Sequence, residues 1–457
     1  MIKLYRKKKR VFAKIPRLTF CGSEMKRKVG ILTLGCKVNQ YESEAIAEEC
    51  ERLGLAVSDP DGLCDVYIVN TCTVTAEADR KSCQMIRKLA GKNPSAPVIV
   101  AGCTAQRDPG RVSAIPGVAA VIGNSGKLRA AKLAFELTGR PEGPALDLVT
   151  LPDSGGFEQT SLSGFPRTRR YLKIEDGCNR GCSYCAIRGA RGKVRSKLPG
   201  DVIREAVSFC EAGCREIVLT GIEIASYGAD LPGASLASLL SDLDAACSGS
   251  GVRFRLSSLD PSVFLGNFPD RISRLGSLAR HFHISVQSGS TEVLRGMRRG
   301  YGKEQLERAL RAASGVFTGT MLSGDFIVGF PGETEENFLE TKETLESHPF
   351  IGAHVFPFSA RAGTPAALMK NRVGEQDKKR RCAELASAAA AKKEKLLDGL
   401  AGERLSVLFE TREEGGWTGH SDNFAEVLCE CDADLRGRVC DCLVLSRVGS
   451  RLTAVLI

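Results

Sequence analysis

Histidine is scarce, five in 457 residues, and tryptophan occurs once. The five histidines form no metal motif of their own. A P-loop is missing, and so is a serine-nucleophile elbow, which leaves a Walker-type phosphotransferase or an α/β-hydrolase without its defining element. No apolar run approaches the ~20 residues needed to cross a bilayer, so no membrane partner is expected. The N-terminus, MIKLYRKKKRVFAKIPRLTFCGSEMKRK, is basic but lacks the uninterrupted apolar centre of a secretory signal. Residues 1–25 read as a basic extension, either a disordered arm or an over-long start ahead of Met25, and the chain is expected in the cytoplasm. The net charge of +10, from 64 basic and 54 acidic residues, permits a nucleic-acid partner without demanding one.

Cysteine is what the chain has in excess, with 18. Without an export signal, clustered cysteines point to metal binding or catalysis rather than disulfides. Cys50, Cys83, Cys210, Cys214, Cys247 and Cys382 fall in helical-looking stretches and read as small core hydrophobes.

The pattern divides into three α/β and β parts. Over residues 26–151, strands such as KVGILTLGC, CDVYIVNTC and APVIVAGC alternate with helical segments, which predicts a doubly wound parallel sheet. A polar stretch, LPDSGGFEQTSLSGFPRTRR, reads as a linker. Over residues 164–397 the alternation resumes for about six βα units, which predicts a full or partial (β/α) barrel working at its C-terminal mouth. After a long basic helix, residues 398–457 read as short strands and turns, a small β-barrel of a kind that often binds RNA. Phe409, Trp417 and Phe424 are its few stacking candidates. The pairs Cys429/Cys431 and Cys440/Cys442 leave a zinc site open beside the plainer reading of half-buried strand residues.

Two cysteine sets carry the chemistry. Cys36, Cys72 and Cys103 each end a strand of the first part, and ligands of parallel sheets gather at carboxyl strand ends. Cys178, Cys182 and Cys185 form a C-x3-C-x2-C run in DGCNRGCSYCAIRGARGKVRS. A closed zinc site needs four ligands. Three thiolates on a cubane leave one iron open to a substrate.

The C-x3-C-x2-C run resembles the signature of the radical S-adenosylmethionine (SAM) enzymes. GCKVNQYES, NTCTVTAEADRK and AGCTAQ resemble the N-terminal domain of the methylthiotransferases within that superfamily. RLSSLDP, HFHISVQSGS, MRRGYGKEQ, DFIVGFPGETEENF and FSARAGTP resemble their radical-SAM core, and GHSDNFAEV resembles their C-terminal TRAM domain. GCKVNQYES with RGKVRS is most similar to the branch that acts on threonylcarbamoyladenosine next to the tRNA anticodon. Other branches act on isopentenyladenosine in tRNA or on a ribosomal-protein aspartate. A non-catalytic metal-containing RNA-binding protein is the alternative from another class.

The resemblance implies a radical-SAM core at 164–397 and a TRAM-like RNA-binding domain at 398–457. It implies two 4Fe–4S clusters, one on Cys178, Cys182 and Cys185 and an auxiliary one on Cys36, Cys72 and Cys103, with SAM as co-substrate. One SAM methylates a sulfur on the auxiliary cluster; the other yields a 5′-deoxyadenosyl radical. Implied partners are tRNA, a sulfur donor and an electron donor such as flavodoxin or ferredoxin. Tyr184, Gly221, Glu223, Ser257 and Gln287 are the expected SAM contacts. Two positions depart from the family: Arg188 stands where proline commonly follows CAI, and Glu223 where this branch often has histidine.

Overall fold

The computed structural model describes residues 26–137, 145–150, 155–163 and 168–457; the expected basic extension lies outside them. The first part is a six-stranded parallel sheet of β1 (Lys28–Thr33), β2 (Ala56–Ser58), β3 (Val66–Thr71), β4 (Val98–Gly102), β5 (Val118–Ile122) and β6 (Leu146–Asp147). Their order is β2-β1-β3-β4-β5-β6. Alternate residues of these strands face opposite sides. Ile31, Ile68, Ile99 and Ile122 pack under helices Lys37–Arg52 and Arg129–Leu137. Tyr67, Val69, Val100 and Val121 pack under helix Ala76–Lys92. Helices on both faces make the sheet doubly wound. The chain reverses its direction across the sheet between β1 and β3, the switch point where such sheets open a ligand crevice.

The second part holds β7 (Arg169–Lys173), the short antiparallel pair β8 (Glu175–Asp176) and β9 (Arg195–Ser196), then β10 (Glu216–Thr220), β11 (Arg253–Leu256), β12 (His281–Gln287), β13 (Met321–Val328) and β14 (Phe350–Pro357). The parallel ladders β11-β10-β7 and β12-β13-β14 meet through isolated bridges Phe254–Leu278 and Leu259–Ile284. Among the described residues no ladder joins β14 to β7, so the barrel is partial. Leu172, Ile217, Leu219, Phe254, Phe282 and Phe326 point outward into one apolar core beneath the helices. The alternate residues, Arg169, Glu216, Arg253, Arg255 and His283 among them, therefore face inward.

The third part is a closed barrel of β15 (Arg404–Glu413), β16 (Gly416–Ser421), β17 (Glu426–Cys429), β18 (Val439–Val448) and β19 (Arg451–Leu456), ordered β15-β16-β17-β19-β18. It stoppers the N-terminal end of the partial barrel. Arg253 donates to His420 O (2.8 Å), and Arg255 donates to Asp422 O (3.1 Å) and Ser421 O (3.2 Å). Phe424 stacks on His281, centroids 4.5 Å apart.

The fold gives several of these residues structural roles. Phe409 and Trp417 fill the small barrel's core and are withdrawn from RNA stacking, while Phe424 is spent on the docking seam. The basic run of helix Glu375–Asp398 is largely neutralised: Arg381 is buried on Glu333 (2.7 Å) and Arg380 pairs with Glu335 (2.7 Å). The linker's described residues 155–163 are pinned, because Thr160 O accepts from Tyr41 (2.9 Å) and Lys197 (2.7 Å). Cys429 and Cys442 are fully buried in the small barrel, with Cys431 and Cys440 packed beside its core. No helix of the described residues is long and apolar enough to cross a membrane.

Candidate active site

The crevice at the carboxyl edge of the first sheet collects the first cysteine set. Cys36 caps helix Lys37–Arg52 after β1, Cys72 follows β3 directly, and Cys103 opens the short helix Cys103–Arg107 after β4. These are three adjacent strands. Gly35 shows how tightly the chain passes: its φ is +106°, and a Cβ there would lie 2.6 Å from Cys72 Cβ and 2.8 Å from its Sγ. Only glycine lets the Cys36 turn approach Cys72 so closely.

Side-chain amides fix the turns. Asn39 donates to Leu34 O and Thr71 O, each at 2.8 Å. The Asn124 amide lies 3.6 Å from Cys103 Sγ and donates to Ala190 O at 2.8 Å. Thr104 donates to Cys72 O at 2.9 Å.

The second set sits on the loop closed by β8 and β9, at the carboxyl end of β7. Gly177 (φ +86°) tucks the loop under Lys193, whose carbonyl O would lie 1.9 Å from an added Cβ. Backbone N–H groups of Arg180 and Ile187 point at Cys178 Sγ and Cys185 Sγ, both at 3.4 Å. Arg299 Nη1 lies 3.6 Å from Cys182 Sγ. A cavity of about 380 Å³ opens against Cys182 and Cys185, with Arg180 and Arg188 on its wall.

Each donor set offers three thiols, the number that a cubane with one open iron would take. Among the described residues the one group with three ligand atoms within 4.8 Å of one another is His283, Asp325 and His354. Neither cysteine set is gathered that closely. Within each set the sulfurs still feel one another's charge. Burial, then Cys103 and Cys36, push the Cys72 thiol up to about 12. Burial does the same for Cys178, with Cys185 adding to it against the Arg180 N–H. Thiols held neutral in this way become ligands when a cation supplies the missing positive charge.

The expected SAM contacts stand on one rim. Gly221 and Glu223 follow β10, Ser257 follows β11 and Gln287 ends β12. Tyr184 lies between Cys182 and Cys185 and packs against the Val293–Met297–Phe330 cluster. Gln287 has φ +69°, a strained setting for a side-chain residue, at the point where the β12–β13 register shifts. Two buried acceptors on this rim, Ser257 Oγ and Glu175 Oε1, have no hydrogen-bond partner, so the rim holds polar capacity for a bound ligand. Glu175 Oε2 accepts from Ile222 N and Glu223 N, both at 2.8 Å. Burial, then Asp260, pushes Glu223 up to about 7 against Arg180 and Arg299.

Several residues of this site escape sequence reasoning. Asp260 joins Arg299 (2.5 Å) and Arg180 (2.9 Å). Arg299 stands in MRRGYG, a stretch whose spacing alone gives it no role. Larger still is the buried lock between the two cysteine loops. Arg191 donates to Glu42 (2.9 Å), Asp176 (3.0 Å) and Asn39 (2.7 Å). Lys173 bridges Glu42 (2.8 Å) and Asp176 (2.7 Å), and Lys127 reaches Glu42 (2.5 Å). Glu42 lies on the helix that Cys36 caps, and Asp176 stands two residues before Cys178. The lock therefore ties the loops of the two sets together. The polar row His283–Asp325–His354 inside the partial barrel is also new: its members lie 42 and 29 residues apart in sequence but on adjacent strands.

Comparison with known proteins agrees with this geometry. Residues 28–123 match the family described as Uncharacterized protein family UPF0004, and residues 172–345 match the Radical SAM superfamily. The threonylcarbamoyladenosine tRNA methylthiotransferase MtaB of Bacillus subtilis is 38% identical over 90% of this chain and 92% of its own. That of Thermotoga maritima is 40% identical over 77% of this chain and 80% of its own. A tRNA-2-methylthio-N(6)-dimethylallyladenosine synthase of Desulfitobacterium hafniense is 30% identical over 92% and 96%. Among solved structures, the radical SAM methyltransferase TsrM of Kitasatospora setae, with tryptophan and a SAM analogue bound, shares the fold. Its TM-score is 0.53 at 17% identity, over 85% of this chain and 79% of that one.

Proposed function

This chain belongs to the radical-SAM methylthiotransferases, in the threonylcarbamoyladenosine tRNA branch, and from that premise we propose that it inserts a methylthio group at carbon 2 of N6-threonylcarbamoyladenosine beside the tRNA anticodon. The observation that carries the reading is the pairing of two separate three-cysteine sets, one at the carboxyl ends of β1, β3 and β4 and one on the loop after β7, across one buried ionic lock.

Cys178, Cys182 and Cys185 would hold the radical-generating 4Fe–4S cluster, and Cys36, Cys72 and Cys103 an auxiliary one. When bound, the first supplies with SAM the radical that removes hydrogen from the substrate carbon, and the second carries the sulfur that another SAM methylates. The chain's own part is placement, electronics and exclusion of water. Tyr184, Gly221, Glu223, Ser257 and Gln287 border the SAM rim. Arg299 sets positive charge beside Cys182, and Asp260 orients both Arg299 and Arg180. Glu42, Asp176, Lys173 and Arg191 hold the two loops in register, which the transfer between them requires. A tRNA, a sulfur donor and a flavodoxin- or ferredoxin-like electron donor complete the reaction.

The test is anaerobic reconstitution with iron, sulfide and SAM, followed by incubation with reductant and tRNA bearing threonylcarbamoyladenosine. About eight irons per chain, from two four-iron cubanes, and the methylthio nucleoside by mass spectrometry are expected. Bound zinc without SAM cleavage would refute the enzyme reading. Conversion of isopentenyladenosine tRNA alone would move the chain to the neighbouring branch.

A further inference from the structure

Three strands of the partial barrel bring two imidazoles and a carboxylate together. His283 lies on β12, Asp325 on β13 and His354 on β14, and these strands are neighbours in the order β12-β13-β14. The register sets Asp325 directly opposite His354, and His283 opposite Ser323, two residues before Asp325. Residues two apart on a strand share a face, so the three side chains rise from one face of the sheet. Phe326, next to Asp325, belongs to the outer core, which puts that face inside the barrel.

The separations suit metal ligands. His283 Nε2 stands 3.0 Å from Asp325 Oδ2, and His354 Nδ1 stands 3.2 Å from Asp325 Oδ1. All three ligand atoms lie within 4.8 Å of one another. Around an ion with bonds of ~2.0–2.2 Å, neighbouring ligand atoms are about 3–3.5 Å apart. A hydrogen-bonded row is the plainer use of such a trio, and one observation opposes it. His283 is buried to 9% exposure, yet its Nε2 makes no hydrogen bond. Its approach to Asp325 is short but misdirected, which is how two ligands of one ion relate and not how a donor meets its acceptor. A buried ring nitrogen without a partner has capacity for a ligand. Asp325 also lacks a permanent counter-ion: among the described residues its ion pairs are to the two histidines alone. The barrel's arginines are spent elsewhere. Arg169, Arg253 and Arg255 all pair with Glu216, and the last two also donate to carbonyls of the small barrel.

We propose that His283, Asp325 and His354 bind one divalent transition-metal ion of the zinc class inside the partial barrel. Two imidazoles and one carboxylate suit that class, whereas calcium and magnesium favour oxygen ligands throughout. Three protein ligands are one short of a closed tetrahedral site. The row is open to solvent on the side of His354, whose side chain is 59% exposed, so the fourth position takes water or another oxygen donor. None of the three residues belongs to a cysteine set, and the ion is therefore independent of both clusters and of the substrate reading above.

The experiment uses the full chain with its iron–sulfur clusters reconstituted, so that the cluster cysteines are occupied, and then cleared of loose metal with a chelator. Zinc and, separately, cobalt(II) are titrated into wild type, His354→Ala and Asp325→Asn. Bound metal, iron and sulfide are counted after desalting, and the visible spectrum of the cobalt samples is recorded against the cobalt-free protein. Wild type is expected to hold zinc in a one-to-one ratio. Its cobalt form should show the d–d bands of nitrogen and oxygen ligands without a sulfur-to-metal charge-transfer band. His354→Ala alters a largely exposed side chain and Asp325→Asn keeps the side-chain shape. Each is expected to weaken zinc and cobalt binding by about a hundredfold or more, since losing a ligand costs more than the roughly 10–100-fold loss of an outer-shell partner. Iron and sulfide should not change. Wild type that retains neither metal would overturn the proposal. So would a sulfur-to-cobalt charge-transfer band, which would put the ion on cysteines, and so would undiminished binding in both variants. Failure of the clusters to load would count against the function proposed above and not against this site, which is still read from the cobalt bands lost in His354→Ala.

Discussion

Exchanging Glu42 for glutamine is expected to damage the protein more than exchanging Arg191 for methionine, although Arg191 is the larger buried group. The lock holds two carboxylates, Glu42 and Asp176, against three cations, Lys127, Lys173 and Arg191, all at most 5% exposed. Burial by itself would push the Glu42 carboxyl up; Arg191, Lys127 and Lys173 outweigh it and hold the group well below the usual range. Glu42→Gln leaves one carboxylate facing three buried cations, and Lys127 loses its only ion pair in the lock. Removing one partner of a buried pair costs about 3–5 kcal/mol. Arg191→Met leaves the two carboxylates facing Lys127 and Lys173, with Arg195 3.8 Å from Asp176, so neither carboxylate is stranded and the loss is of hydrogen bonds, about 1–3 kcal/mol. A gap of about 2 kcal/mol is roughly thirtyfold in a local opening equilibrium.

The chain has three parts, and a single unfolding midpoint would not isolate this lock. Native-state amide exchange in helix Lys37–Arg52 reports it directly. The double variant Glu42→Gln/Lys127→Met should be less damaging than the two single costs together, because it removes the cation that Glu42→Gln strands. Both single variants should lose methylthio product more than SAM cleavage, since only the former needs both loops in register. Arg191→Met opening that helix as much as Glu42→Gln would refute the charge argument.

Cys182→Ala should abolish reductive SAM cleavage and all product while the auxiliary cluster remains; normal cleavage would remove this triad from the assignment. Cys72→Ala should lower iron by about one cluster and stop sulfur insertion while SAM cleavage continues, read from iron analysis and nucleoside mass spectrometry. At Glu216 burial is outweighed by Arg255, Arg169 and Arg253, which hold its pKa well below the ordinary 4.5. A depressed carboxylate stabilises above its unfolded pKa and loses that effect as pH falls through the folded one. Docking of the small barrel should therefore be intact at neutral pH and fail progressively below about pH 4.5. Glu216→Gln should loosen it at neutral pH, with faster proteolysis between Asp398 and Arg404 as the measurement.

The sequence alone determined the periodic features and the local chemistry. Strand–helix alternation in KVGILTLGC…APVIVAGC carried the doubly wound sheet, because parallel strands buried on both faces must be short and apolar. The C-x3-C-x2-C run is local, so its three-ligand character was visible without any fold. Even the convergence of Cys36, Cys72 and Cys103 followed from the rule that parallel strands end on one edge. What only the tertiary structure decided are meetings between residues far apart in the chain. Glu42 meets Arg191 across 149 residues, and no pattern in either segment encodes that pairing. Phe409 and Trp417 could serve RNA or a core equally well until closure of the five-stranded barrel buried them. Whether the central barrel closes depended on pairing between β14 and β7, an edge contact that βα alternation does not specify.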